Sequence, residues 1–96
     1  MRNKIIVAYD VSDPERLRKM HGKMLGFGYQ LQYSVFICEL SAAERVLMVA
    51  SLSEIIDSGE DRVMLADLGP VGKVSSSRVK FLGKLSDDSP RHPVVV

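Results

Sequence analysis

The spacing of apolar residues predicts a strand followed by a helix at the start of the chain. Residues 3 to 9 are apolar on both sides, which is typical of a central strand. The next apolar residues recur at helical spacing and predict a helix over residues 13 to 25. The stripe that should face the core contains Leu17, Met20, Met24 and Leu25.

Polar residues and glycines predict where this helix begins and ends. Ser12 or Asp13 is expected to cap it, and Glu15 would complete a capping box with Ser12. Gly26 and Gly28 should end it, because glycine adopts the left-handed conformation that closes helices.

Residues 29 to 40 alternate in the period of a strand and are rich in aromatic and β-branched side chains. The pattern predicts either one long strand or two short strands around residues 32 to 34. One face should carry Leu31, Tyr33, Val35 and Ile37.

A second capping box, Ser41 to Glu44, opens a helix that should reach about Ile56. One apolar stripe contains Met48, Val49, Leu52, Ile55 and Ile56, and a second patch contains Val46, Leu47 and Ala50. A helix that is apolar on two sides in so small a domain indicates a neighbouring surface.

The remaining segments complete the order of elements. They are a turn at residues 57–61, a strand at 62–68, a loop at 69–77 that includes Ser75-Ser76-Ser77, and a short late strand at 78–82. The order predicts an α+β, ferredoxin-like β-α-β-β-α-β fold with an additional C-terminal strand. We assign residues 1–82 to this domain and residues 83–96 to a polar C-terminal tail.

Charge is distributed unevenly along the 96 residues, although the formal net charge of +1 gives no argument for a nucleic-acid partner. Residues 1–25 contain six basic and three acidic side chains (net +3), and residues 26–67 contain two and seven (net −5). Residues 68–96 contain five and two (net +3). Both ends are therefore basic and the middle is acidic.

Cysteine content and apolar runs indicate where the protein works. Cys38 is the single cysteine, so no intramolecular disulfide can form and a cytoplasmic location is expected. Cys38 itself is predicted to be a small buried apolar residue. The N-terminal apolar run, residues 5–8, is far shorter than the ~20 residues that span a bilayer, so no membrane association is predicted.

Asp10 is the first candidate for chemistry, because it ends an apolar strand and precedes a helix. Its residue type alone favours a simpler role, a turn hydrogen bond with the amides of residues 11–13. One carboxylate is also a poor magnesium site, since Mg²⁺ takes six oxygens from carboxylates, water and phosphate. A symmetric dimer that joins two Asp10 side chains would change that conclusion.

Basic side chains follow Asp10 on the first helix: Arg16, Arg18, Lys19 and Lys23. They can contact a phosphate backbone, although charged helix faces are more often simply solvated. Their position next to Asp10 favours the functional interpretation modestly.

Other candidate residues have simpler explanations. His21 lies on the apolar stripe and should pack in the core or an interface, His92 lies in the tail, and their spacing indicates no zinc site. Ser34 has no base to activate it. Tyr33 and Phe36 can stack on bases, yet strand aromatics more commonly pack in a core.

A set of short motifs occurs in a fixed order over roughly residues 3 to 68. They are Tyr9-Asp10 at the end of an apolar strand, Asp13, Arg16-x-Arg18-Lys19, a glycine-ended helix, Gln32-Tyr33-Ser34-Val35-Phe36, and Leu40-Ser41 before the next helix. Together these motifs resemble the CRISPR-associated Cas2 family.

The resemblance implies a homodimer in which the late strand extends the partner's sheet. It also implies an Mg²⁺-dependent endonuclease on RNA or double-stranded DNA, and a role in spacer acquisition and antiviral defence with the Cas1 integrase. The family's metal-binding aspartate corresponds to Asp10, one from each subunit, and its helix arginines correspond to Arg16 and Arg18. Its Ser-Val-Phe segment corresponds to residues 34–36, so Ser34 and Phe36, with Tyr9, would support the site.

Two departures from the family pattern bear on cleavage activity more than on the fold. Gln30 stands where many members have a basic residue, and Ile37 and Cys38 stand where many have a polar or acidic one. One alternative is a noncatalytic DNA-binding scaffold of the integrase complex, favoured by the two basic ends of the chain and by the assignment of a single carboxylate, Asp10, to the site. A more remote alternative is a ferredoxin-like module that binds a regulatory small molecule.

Overall fold

The computed structural model describes residues 1–73, 78–84 and 94–95. Its elements are β1 (Asn3–Asp10), α1 (Pro14–Leu25), β2 (Gly28–Gln32), β3 (Val35–Leu40), α2 (Ala42–Ile55), β4 (Arg62–Pro70), β5 (Lys80–Phe81) and β6 (Val94–Val95). His92, Ser75-Ser76-Ser77 and most of the predicted tail lie outside the described residues.

Four strands form an antiparallel sheet in the order β2-β3-β1-β4. A β-α-β-β-α-β chain with this sheet has the predicted ferredoxin-like fold. β1 lies between β3 and β4, which confirms the central strand predicted from its apolar sequence. The two-residue strand β5 pairs in parallel with β6, which the polar composition of the tail did not predict.

The core lies between one face of the sheet and the two helices. Its buried members are Ile5, Val7, Tyr9, Val11, Met20, Met24, Phe36, Cys38, Leu40, Met48 and Leu52. Cys38 is fully buried, as predicted, and burial raises the pKa of its thiol to about 11.

The β2–β3 hairpin shows that the predicted face of this segment was partly wrong. Leu31 is buried, but Tyr33 is 77% exposed and the two predicted members on β3 are only half-buried. A turn at residues 33–34 interrupts the alternation, which continues only within an unbroken strand. On β3 the core-facing side chains are instead Phe36, Cys38 and Leu40.

The first helix begins where predicted, with Asp13 as its cap. The Asp13 carboxylate accepts a hydrogen bond from the Arg16 amide at 2.9 Å. The capping box between Ser12 and Glu15 does not form, because Ser12 lies outside the cap and its amide binds Asp61. Leu25 was wrongly placed in the core stripe, since it is 55% exposed.

The glycines after α1 end it without the predicted left-handed conformation. Gly26 has a φ of −78°, and its amide donates to the Lys23 carbonyl at 3.1 Å. Gly28 is required for a different reason, because a β-carbon there would collide with the Ile37 carbonyl and lie 2.6 Å from Cys38 Sγ.

The second helix has the predicted capping box, in which the Glu44 amide donates to Ser41 Oγ at 3.2 Å and the Ser41 amide donates to Glu44 Oε1 at 2.8 Å. Its second apolar patch lies at the surface, with Val46 70% and Leu47 62% exposed. Val49, predicted for the core, is 42% exposed. No helix in the described ranges is long and apolar enough to cross a membrane.

Candidate functional site

Asp10 is the last residue of β1 and lies opposite Arg62 of β4. Because side chains alternate along a strand, Asp10 shares a sheet face with Ile6 and Ala8, and this face points away from the helices. The side chain is exposed, and no hydrogen bond or ion pair involves it within the described residues. Its carboxylate is therefore open to a ligand, and the simpler role in a turn hydrogen bond is not supported.

Asp61 holds the turn after Asp10 in place. Its carboxylate accepts hydrogen bonds from the amides of Ser12 at 3.2 Å and Asp57 at 2.8 Å. Arg16 donates to both oxygens of the same carboxylate, through Nε at 2.8 Å and Nη2 at 3.2 Å. The Asp61 side chain has no exposed surface, and hydrogen bonding, first of all from Arg16, holds its pKa well below the ordinary range.

This ion pair gives Arg16 partners within the protein. Its Nη2 atom also lies 3.3 Å from Glu60, so the guanidinium faces the acidic loop before β4. Arg16 consequently fixes the first turn of α1 to that loop, directly beside Asp10. Asp61 was not identified from the sequence, where it is one of seven acidic residues in the middle segment.

The other basic residues of α1 lie at the surface. The Arg18 side chain is 75% exposed and binds Glu15 at 2.5 Å, a surface pair of a kind that contributes little to stability. Lys19 and Lys23 are exposed and line a shallow groove beside Ile55. These three cations are accessible to an anionic ligand.

The residues expected to support the site belong largely to the core. Phe36 is fully buried, with its ring centre 6.2 Å from that of Tyr9 and 5.6 Å from that of His21. Ser34 contributes its carbonyl, which accepts a hydrogen bond from the Tyr9 amide at 3.0 Å. Of the two aromatic residues considered for base stacking, Tyr33 is exposed and Phe36 is not.

Metal binding at Asp10 requires ligands from outside one protomer. Among the described residues, no three histidine, cysteine, aspartate or glutamate side chains lie close enough together to hold a metal ion. A carboxylate oxygen is a ligand that Mg²⁺ prefers, so Asp10 suits this cation chemically. One copy of the chain supplies a single such group, and a second copy would supply another.

Comparisons with known proteins agree with this architecture. Residues 3–72 match the family model described as CRISPR associated protein Cas2. The chain is 38% identical over 96 residues to the CRISPR-associated endoribonuclease Cas2 of Geobacter sulfurreducens, covering 100% of both chains. It is 37% identical over 91 residues to the CRISPR-associated endoribonuclease Cas2 1 of Rhodospirillum rubrum, covering 95% of this chain and 88% of that protein.

A solved structure supports the same relationship. The crystal structure of Streptococcus pyogenes Cas2 superposes with a TM-score of 0.72 at 33% sequence identity, covering 83% of this chain and 99% of that one. The family match spans β1 to β4 and includes both Asp10 and the basic helix that follows it. The chain therefore belongs to the CRISPR-associated Cas2 family.

Proposed function

We propose that the chain is an Mg²⁺-dependent endonuclease that acts as a homodimer in spacer acquisition during CRISPR antiviral defence. The observation that carries the proposal is the open carboxylate of Asp10, held at the end of a central strand. The two relatives described above are named endoribonucleases, which favours RNA as the substrate. Double-stranded DNA is the second substrate to be tested.

The sheet face that carries Asp10 supports the homodimer. Its apolar members include Ile6, Ala8, Val35, Ile37, Met64 and Ala66, which the strand register places side by side. Met64 is 54% exposed and the others are half-buried, whereas the helices cover the opposite face. Pairing two copies through this face would remove apolar surface from water. A two-fold axis there would bring the two Asp10 carboxylates towards each other, and β5 would extend the partner's sheet.

The described side chains suggest separate roles in this reaction. A bound Mg²⁺ ion would activate water and screen the scissile phosphate. Each Asp10 would supply one carboxylate ligand, while the exposed cations Arg18, Lys19 and Lys23 would hold the phosphate backbone. Arg16 would act as a positioning residue through its ion pair with Asp61.

Nuclease assays on purified protein test the metal site. Asp10→Asn should abolish cleavage of single-stranded RNA and of duplex DNA, and EDTA should abolish cleavage by the wild type. Glu54→Gln, which removes an exposed carboxylate from α2, is the matched control and should cleave normally. Equal cleavage by the Asp10→Asn and wild-type proteins would refute the proposed site.

Sedimentation analysis tests the dimer. Met64→Glu places a charge on the apolar sheet face, next to Ala8, and should shift the protein towards the monomer. Val46→Glu introduces the same charge at a 70% exposed position on α2 and should leave the dimer intact. A dimer that survives Met64→Glu and dissociates with Val46→Glu would place the interface on α2 instead.

A noncatalytic DNA-binding scaffold, working with the Cas1 integrase, is the second candidate. It is favoured by the single carboxylate that each protomer brings to the site and by the three exposed cations on α1. Spacer acquisition in cells by the Asp10→Asn variant distinguishes the two: normal acquisition supports the scaffold, and loss supports catalysis. In both cases duplex affinity should fall steeply with salt, because phosphate contacts release counterions.

A further inference from the structure

A cavity of about 350 Å³ lies between the first half of α1 and the turn that joins β2 to β3. Its lining consists of Tyr9, Pro14, Leu17, Arg18, His21 and Tyr33. Tyr9 faces the helices while its neighbour Asp10 faces the other side of the sheet. The cavity is therefore separate from the proposed metal site, although consecutive residues of β1 reach both.

Tyr9 contributes a polar atom that has no partner within the described residues. The residue is only 6% exposed, and its Oη atom is buried without a hydrogen bond there. Buried polar atoms are nearly always hydrogen-bonded, so this hydroxyl is an exception in the protein layer behind the cavity. Burial, and then the nearby Tyr33 phenol, raise the pKa of Tyr9, which agrees with a hydroxyl shielded from water.

The outer part of the cavity combines an aromatic ring with a cation. Tyr33 is 77% exposed, so its ring face is available for stacking. Arg18 is also exposed, and its surface pair with Glu15 can be exchanged for another anion at little cost. Leu17 and Pro14 provide apolar contact between these polar groups.

We propose that this cavity binds the base of one unpaired nucleotide, with the ring stacked on Tyr33 and the phosphate of the same nucleotide towards Arg18. Aromatic stacking of this kind is the general way in which proteins hold single-stranded bases. A base inside a duplex is paired and stacked and cannot enter. This base site rests on the proposed function, because both require a nucleic-acid ligand. It adds a preference for single strands or frayed duplex ends.

Fluorescence binding experiments in EDTA, where metal-dependent cleavage cannot occur, test the cavity. The probe is a six-nucleotide strand with one 2-aminopurine and abasic sugars at the other five positions, made in RNA and in DNA form. The fully abasic strand and a blunt 20-base-pair duplex are the reference ligands. We expect quenching of 2-aminopurine on binding and at least fivefold tighter binding of the base-containing strand than of the abasic strand.

Three variants separate the cavity from general phosphate binding. Tyr33→Ala should remove the preference for the base, since stacking contributes about 1–3 kcal/mol per base, a factor of roughly 5 to 150. Tyr33→Phe should keep it, because the ring remains. Lys23 lies outside the cavity, so Lys23→Ala should weaken the binding of all three ligands by the same factor and preserve the preference for the base-containing strand.

The outcomes distinguish this inference from the proposed function. Equal affinity for base-containing and abasic strands, or an unchanged preference in Tyr33→Ala, would overturn the base site while leaving phosphate binding and cleavage intact. A base preference in a protein that cleaves nothing would support the cavity and refute the nuclease. Failure of the wild type to bind any of the strands would refute both.

Discussion

Replacing Tyr9 by phenylalanine should make the free protein more stable. The substitution removes a hydroxyl whose oxygen is buried without a partner in the described residues. It keeps the aromatic ring, which packs 6.2 Å from Phe36, and the backbone hydrogen bond from Tyr9 to the Ser34 carbonyl at 3.0 Å. Natural proteins are rarely at their stability optimum, so a stabilising substitution at such a position is expected.

The magnitude follows from the cost of the unpaired hydroxyl. Burying a polar group without a hydrogen bond costs about 1–3 kcal/mol, and the lost contacts of one oxygen atom offset part of the gain. We therefore expect the free energy of unfolding to rise by about 1 kcal/mol. In a domain of this size, that change corresponds to an increase in Tm of about 4–8 °C.

Calorimetry without nucleic acid measures this change. All samples should have the same protein concentration, since a dimer's Tm depends on it. Tyr33→Phe is the matched control, because that hydroxyl belongs to a 77% exposed residue and its removal should leave Tm within 1 °C, a margin of roughly 0.2 kcal/mol. An unchanged or lower Tm in Tyr9→Phe would mean that the hydroxyl has a partner, and the reasoning from an unpaired group would fail.

Two further changes test the fold by calorimetry and acid titration. Gly28→Ala should destabilise the protein by at least about 1–3 kcal/mol, because its β-carbon meets the backbone of β3. Gly22→Ala is the control, because a β-carbon there would have open space around it, and it should stabilise α1 by up to about 1 kcal/mol. Similar effects of Gly28→Ala and Gly22→Ala would contradict the close approach of β3 to Gly28. Asp61→Asn should lower Tm at neutral pH and should make Tm fall less steeply in acid. A carboxylate whose pKa is lowered in the folded state stabilises the fold at pH values above its ordinary pKa of 3.8, and this contribution is lost as the pH falls below 3.8. Glu44→Gln is the control and should change the dependence of Tm on pH less, because the Glu44 side chain is 39% exposed and the Asp61 side chain has no exposed surface. A larger effect of Glu44→Gln than of Asp61→Asn would show that Asp61 is not the main acid-sensitive group.

Local sequence signals predicted most of the fold because they act between near neighbours. The Ser41–Glu44 capping box and the apolar stripe of α1 each involve residues within one or two helical turns, and both form, except that Leu25 is exposed. The hairpin was harder, since a two-residue turn after Gln32 reverses which side chains face the core. A pattern that assumes one continuous strand cannot detect this change.

The candidate site was predictable only in part for a similar reason. The position of Asp10 follows from the end of a strong strand, and its motif follows from the family resemblance. The partners of Arg16 do not, because Asp61 lies 45 residues away in sequence and is one of several similar carboxylates. The cavity beside Tyr9 depends on three separate elements, so no single stretch of sequence contains its signature.

The ion pair between Arg16 and Asp61 has a mechanical consequence for any assembly of two copies. Asp10 is paired with Arg62 on one side, and the buried Val11 and the bonded Ser12 follow it on the other. Arg16 then ties the next helix to the same loop. The Asp10 backbone cannot shift without moving the sheet end, the loop and the helix together. In a pair of protomers, a change in the distance between the two Asp10 backbones would therefore require whole protomers to rotate against each other at their interface.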